Sequence, residues 1–387
     1  MAERPSTPQV IALNLYHLSP DDLIRQLEGL GEPAFRARQI LHWLYRGYVA
    51  SIDEMTDLGK GLRSKLKERY TLRSLSTVTE QASSDGWTRK WLLQAPDGGE
   101  VETVLMEYEG IRRTACISSQ AGCAMNCSFC ATGQMGFQRN LAAGEIIEQV
   151  VHVARALTHT VSATVPGNNL ELNGGKEHLS NVVFMGMGEP FANYNNVMQA
   201  ALRLIAPVES GGMGLGARKI TISTVGLVPG IRRFSDEKAQ INLAVSLHAA
   251  TDDLRTPLVP LNKRYPLKEL AVAIREYIMK TNRRVSLEWA LIEGVNDTVE
   301  QAAALVTFVH NTFDPRHEKR HMLHVNMIPL NPTGGYDGKA SQRNRIQAFQ
   351  EVLNRAYIPN TLRVRRGIDI SAGCGQLKAE TDGREPV

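Results

Sequence analysis

The chain has 387 residues, 43% of them hydrophobic and 22% charged, the balance of an ordinary soluble globular protein with length for two or three structural units. No apolar run approaches the roughly 18 residues of a membrane span, and the first nine residues lack the charged-then-apolar layout of a signal peptide, so a cytoplasmic protein is expected. The net charge of +4 says little until its distribution is read: residues 35–73 hold nine Lys/Arg against four acids, so this stretch exceeds the whole-chain excess and leaves the remainder near neutral.

Residues 1–75 read as a small basic helical accessory domain. Ser19-Pro20-Asp21-Asp22 places an N-cap before Pro and first-turn acids. A second helix is expected from Glu32-Pro33, with Phe35, Ile40, Leu41, Leu44 and Tyr45 in helical period, and a third carries Leu62, Leu66 and Tyr70. One charged helix face is ordinarily just a solvated face. Spread over three helices, the surplus suggests a phosphate-facing surface, with Arg36, Arg38, Lys60 and Arg63 as contacts.

Residues 76–112 change to short alternating stretches with turns at Asp85-Gly86 and Pro96-Asp97-Gly98-Gly99, the pattern of a β-hairpin linker. Glu102 lies there among β-branched neighbours, where a strand residue usually faces solvent.

The next stretch organises the rest. Cys123, Cys127 and Cys130 stand at C-x3-C-x2-C, close enough to wrap one centre of soft metal ions. Structural zinc is the competitor, but it usually closes four ligands around one ion, and no fourth Cys or His lies near. Three thiolates fit a [4Fe-4S] cluster with one open iron, which suits a reducing compartment. Cys116 and Cys374 are left over.

From residue 113 the chain alternates strand and helix. Helices are expected at 141–160, 194–205, 267–280, 298–310 and 341–357, and strands at 181–185, 219–223, 241–247, 284–291, 323–328 and 361–366. About six β/α units imply a parallel sheet with right-handed crossovers, so the expected fold is α/β, a partial (β/α)6 barrel over 113–377 followed by a tail, 378–387. Two polar insertions, 161–180 and 209–216, read as flexible surface loops. Ligands of such barrels sit at the carboxyl ends of the strands. Gly186-Met187-Gly188-Glu189-Pro190, Ser223-Thr224-Val225-Gly226, Ser246-Leu247-His248 and Asn331-Pro332 all fall there. Each alone is ordinary; together with the cysteine loop they outline a polar rim.

The cysteine motif, with Phe129 before its last Cys, resembles the radical SAM superfamily. Phe35-Arg36-Ala37-Arg38-Gln39-Ile40, the Gly-Glu-Pro turn, Ser246-Leu247-His248 and Ala372-Gly373-Cys374-Gly375-Gln376-Leu377 make nearly the whole chain similar to the radical SAM adenine C2 methyltransferase family, which acts on 23S rRNA and, in some members, tRNA. The resemblance implies a [4Fe-4S] cluster on Cys123, Cys127 and Cys130, and S-adenosyl-L-methionine (SAM) contacts at Gly188, Glu189, Ser223, Ser246, Leu247, His248 and Asn331. It makes Cys374 the methyl-carrying cysteine, Cys116 its resolving partner and Glu102 the proton acceptor. Its fold would be the radical SAM partial barrel, and its partners RNA and a reductant for the cluster, with the protein a monomer away from membranes.

The chemistry fits. Adenine C2 is an electron-poor carbon with no nucleophilic lone pair, so direct attack on a sulfonium methyl is slow and a radical route is needed. On the family mechanism one SAM methylates Cys374 and a second is cleaved to a 5′-deoxyadenosyl radical. That radical activates the S-methyl group, and Cys116 releases the product by forming a transient disulfide. Rival readings are a C8 adenine methyltransferase of the antibiotic-resistance type, a glycyl-radical activating enzyme, which would have no use for Cys116 or Cys374, and an RNA-binding protein with a structural cluster.

Overall fold

The computed structural model describes residues 13–108, 112–160, 178–314 and 316–378. Three helices form the N-terminal module: α1 (Pro20–Glu28), α2 (Phe35–His42) and α3 (Lys60–Arg69), bracketed by the short parallel pair β1 (Leu13–Asn14) and β2 (Tyr70–Thr71). α1 starts as the sequence predicts, with Ser19 and Asp22 in a reciprocal capping box and Pro20 in the first turn. Leu62, Leu66 and Tyr70 are buried, as their spacing requires.

β3 (Ser76–Ala82), β4 (Thr88–Gln94), β5 (Glu100–Glu107) and β6 (Arg113–Cys116) follow, each antiparallel to the next. The expected hairpins are present, but they are no separate linker: they continue the main sheet. After β6 come the small pair β7 (Gln120–Gly122) and β8 (Phe137–Asn140), with α4 (Ala131–Gln134) between them, then α5 (Ala143–Thr160), β9 (Asn181–Phe184), α6 (Tyr194–Ile205), β10 (Ile220–Thr224) and α7 (Val228–Phe234). The chain continues through β11 (Asn242–Ser246), α8 (Asp252–Leu258), α9 (Leu267–Thr281), β12 (Val285–Leu291), α10 (Val299–Thr312), β13 (Leu323–Pro329), α11 (Arg343–Arg355) and β14 (Asn360–Leu362).

The sheet has ten strands in the order β14-β13-β12-β11-β10-β9-β6-β5-β4-β3, and its edges do not meet. From β6 to β14 every pairing is parallel, and each new strand joins the same side. The β/α alternation therefore produces an open parallel sheet whose strand ends point one way, which gathers residues distant in sequence onto one rim. β14 stops at Leu362 rather than 366, and its continuation runs back over that rim.

One apolar core spans the module and the sheet. Two buried polar contacts fix them together. Glu148 of α5 accepts hydrogen bonds from Asn14 Nδ2 (2.8 Å) and from the Ser74 and Leu75 amides (2.9 and 3.0 Å), and the Arg155 guanidinium donates to the Tyr48 and Val49 carbonyls. Of the two insertions, 161–177 lies outside the described residues. The second is docked rather than flexible: Gly211 has φ +73°, a Cβ there would lie 2.5 Å from Leu41 of α2, and Met213 is buried. Among the described residues no helix is long and apolar enough to cross a membrane.

His152 of α5 packs edge-on to Trp91 of β4, ring centroids 5.2 Å apart. Burial, with Arg155 nearby, pulls its pKa down from 6.5 to about 4. The folded state thus resists a proton that the unfolded chain accepts, so stability is lost as pH falls from about 6.5 towards 4 and no further below that. His152→Phe is expected to flatten this part of a thermal-unfolding profile against pH, by up to about 3 kcal/mol at the acid end.

Candidate active site

A cleft enclosing about 990 Å³, its open mouth included, lies over the carboxyl ends of β9 to β13. The three motif cysteines line it from one side. Gly188, Glu189, Ser223, Ser246, His248 and Asn331 line it from the strand ends, and Cys374 from above. Leu247 does not: it is fully buried in the apolar core, and only its backbone serves the site.

The Gly-Met-Gly-Glu turn after β9 requires its glycines. Gly188 has φ +99°, and a Cβ there would lie 2.6 Å from Gln120 Cβ. Glu189 is 1% exposed; its Oε1 accepts from the Phe191 amide (3.0 Å) and its Oε2 from the Val225 amide (2.8 Å). Burial raises its pKa to about 7 against those bonds and a further one from the Thr224 hydroxyl. His248 also adopts a left-handed backbone, φ +59°. Its Nδ1 accepts from the Ala290 amide at 3.0 Å, which puts the ring proton on Nε2, and burial pulls its pKa down to about 3, so the imidazole is neutral. Phe129 packs edge-on to it at 4.8 Å.

Among the described residues no three His, Cys, Asp or Glu side chains converge on a point as ligands of a single ion would. A cubane cluster asks for something else, three sulfurs spread around a hollow with one thiolate per iron, and three cysteines on the wall of one cleft meet that demand. Burial raises the Cys123 thiol to about 12 and pushes Cys127 higher still, so unliganded thiols here stay protonated and metal binding must displace their protons. The Asn331 side chain, 5% exposed, leaves Oδ1 without a partner while Nδ2 donates to the Cys374 carbonyl at 3.0 Å. An orphaned acceptor in the cleft wall suits an amine or hydroxyl donor of a bound cofactor.

Cys374 comes from the far end of the chain. The Gly375 carbonyl accepts from the Ala131 amide (2.8 Å), the Gly373 amide donates to Gln376 Oε1 (3.0 Å), and Gln376 Nε2 donates to the Pro332 carbonyl (3.0 Å). The Cys374 side chain is exposed and faces two hollows, one being the cleft and the other a smaller cavity, about 550 Å³ with its open mouth included, that Cys116 also lines. Burial, then the nearby Cys374, pushes the Cys116 thiol far up; burial also raises Cys374, against the pull of Arg363.

Comparison with known proteins now identifies the relatives. Residues 13–72 match the ribosomal RNA large subunit methyltransferase N-terminal domain, and residues 117–306 the radical SAM superfamily. The chain is 47% identical over 377 residues to dual-specificity RNA methyltransferase RlmN 1 of Myxococcus xanthus, covering 97% of each protein. The probable RlmN of Chloroflexus aurantiacus is 46% identical, over 94% of this chain and 92% of that one. The chain belongs to the RlmN family. A radical SAM methyltransferase of Sphaerobacter thermophilus has the same fold, with TM-score 0.85, 46% identity and coverage of 95% of this chain and 100% of that one. As an RlmN-family radical SAM RNA methyltransferase, the chain joins a class built around SAM and an iron–sulfur cluster.

Glu102 is not the surface residue that its strand position suggests. It is 2% exposed, ion-paired to Lys90 Nζ at 2.7 Å, and its Oε2 accepts from the Lys378 amide at 3.0 Å. It lines neither cavity. The sequence reading overlooks Lys90, and also Arg363 on the wall of the smaller cavity. It overlooks Glu288 too, a buried cleft residue whose Oε2 accepts from Asn326 Nδ2 at 2.7 Å and whose pKa burial raises to about 7. The one available signal was a lone acid inside the apolar strand Val-Ser-Leu-Glu-Trp-Ala-Leu. Gly188→Ala is expected to destabilise the fold by about 2 kcal/mol through backbone strain and the clash with Gln120, read from denaturant unfolding of the variant beside the parent.

Proposed function

We propose that this enzyme methylates C2 of an adenosine in 23S rRNA, with tRNA as a second substrate, by way of a methyl group carried on Cys374. The position of Cys374 carries the reading: it is the one cysteine that faces both the cleft lined by Cys123, Cys127 and Cys130 and the cavity lined by Cys116. The printed name of the relatives, dual-specificity RNA methyltransferase, supports two RNA substrates.

A [4Fe-4S] cluster on Cys123, Cys127 and Cys130, with SAM beside it, would supply the one-electron cleavage that starts radical chemistry. The chain supplies the rest. Gly188, Glu189, Ser223, Ser246, His248 and Asn331 hold SAM, with the neutral His248 offering Nε2–H as a donor and the open Asn331 Oδ1 as an acceptor. Cys374 must lose its thiol proton to accept a methyl group by displacement at the SAM sulfonium, since the thiolate is the nucleophile. Cys116, buried at the end of β6 and not on the wall of the cleft, does not compete for that methyl. It turns nucleophilic only later, when it attacks the Cys374 sulfur of the adduct in which a methylene joins that sulfur to the base: the disulfide forms, the sulfur–methylene bond breaks, and the methylene carbon takes up a proton as the methylated base leaves. Glu102 takes the C2 proton once the segment at Lys378, whose amide now covers it, moves aside.

The target base must leave its stack to reach a site this deep. Arg38 and Lys60 are exposed on the N-terminal module, and Arg36 lies over the Phe35 ring at 4.9 Å, so phosphate and stacking contacts are both to hand.

Methylation of protein-free 23S rRNA and tRNA, followed by nucleoside mass spectrometry, is expected to give 2-methyladenosine; an 8-methyl product overturns the assignment. Cys116→Ala is expected to accumulate a covalent protein–RNA adduct that migrates with the protein on denaturing gels. Ready turnover by that variant removes the disulfide step.

A further inference from the structure

Arg255 lies in α8, seven residues after His248, and is 1% exposed. Its guanidinium donates four hydrogen bonds, all to neutral acceptors: Nε to the Leu247 carbonyl (3.0 Å), Nη2 to the Val225 (2.7 Å) and Ser246 (3.2 Å) carbonyls, and Nη1 to Asn262 Oδ1 (2.9 Å). Among the described residues no carboxylate lies within ion-pair distance of it; Asp252 instead accepts from Asn262 Nδ2 and the Leu267 amide. A buried cation without a counter-charge is costly, and proteins place one where an anion will sit.

The neighbouring group that becomes anionic, once it ligates a cluster, is Cys127. α8 is tied to the cysteine loop, since the Ser128 amide donates to the Leu258 carbonyl at 3.1 Å, and Cys127 packs in one apolar cluster with Leu258 and Val259. Burial lowers the Arg255 pKa to about 10, and the strongest influence against that is Cys127, ahead of Asp252. Two of its carbonyl partners also sit at the ends of the strands that carry Ser223 and Ser246.

We propose that Arg255 is a positioning residue with two separable effects on the cofactor site: its hydrogen bonds fix the strand ends that present Ser223, Ser246 and His248 to SAM, and its charge balances the three-thiolate centre. The inference rests on the reading of Cys123, Cys127 and Cys130 as cluster ligands. Reduction makes such a centre more negative, so a fixed cation beside it favours the reduced state and holds the potential up. Lysine keeps the charge but lacks the planar fork needed to reach three carbonyls and an amide together.

The test compares anaerobically reconstituted full-length enzyme with Arg255→Gln and Arg255→Lys in three measurements: iron content, cluster potential by EPR-monitored titration, and SAM affinity by equilibrium binding. Arg255→Gln is expected to shift the potential to more negative values and weaken SAM binding about tenfold. Arg255→Lys is expected to keep the parental potential while losing the same affinity. An iron-loaded Arg255→Gln enzyme with parental potential overturns the charge role, and equal shifts in both variants reduce it to packing. Should Arg255→Gln fail to fold, the lysine variant decides: parental SAM affinity overturns the positioning role, and a shifted potential overturns the charge role. Absence of iron from the unsubstituted enzyme removes the underlying cluster reading instead, a result separate from either variant.

Discussion

The site depends on one tether. Cys374 follows Cys130 by more than two hundred residues, and it reaches the cleft because the chain after β14 folds back across the strand ends and is sewn to the cysteine loop. The Ala131 amide holds the Gly375 carbonyl, Thr132 Oγ1 donates to the Leu377 carbonyl, and Asn331 holds the carbonyl of Cys374 itself. Without that return the open sheet would still present three cysteines and a polar rim, but no fourth sulfur between the rim and Cys116. The parallel sheet supplies the platform and the C-terminal tether brings Cys374 over it.

Burial then divides the roles among groups that look alike in sequence. The thiols of Cys116, Cys127 and Cys374 are all pushed up, while His248 is held neutral and Glu189 and Glu288 are both raised to about 7. Five cysteines in one chain thus occupy three environments: a cleft wall, a buried strand, and a loop between two hollows. Glu102 belongs to none of these, being closed off by Lys90 and the Lys378 amide, so the proton transfer proposed for it requires motion of the same C-terminal segment that presents Cys374.

Much of this was legible in the sequence because it rests on local pattern. Apolar runs of four to seven residues marked the parallel strands, and amphipathic periods marked α5, α6, α9, α10 and α11. Three helices escaped: α4 has four residues, and α7 and α8 are each seven residues long and each contain a proline, all too short for a period to show. With α8 went Arg255. β14 was overdrawn because Arg363 to Arg366 keep a strand-like composition while the chain there has already turned towards Cys374. The cleft residues were found through strand-end position, whereas Leu247, in the same tripeptide as Ser246 and His248, is buried in the apolar core. Long-range pairings, such as Lys90 with Glu102 or the 209–216 loop with α2, leave no local trace at all.

The central claim is that the methyl group passes through the Cys374 sulfur. The direct measurement incubates anaerobically reconstituted enzyme with methyl-labelled SAM in the absence of RNA, follows the Cys374 peptide by mass spectrometry, and then adds RNA. The account predicts label on Cys374 first, disappearing from the peptide as labelled methyladenosine forms. RNA methylation by a Cys374→Ala enzyme, or label reaching RNA while Cys374 never carries it, would contradict it.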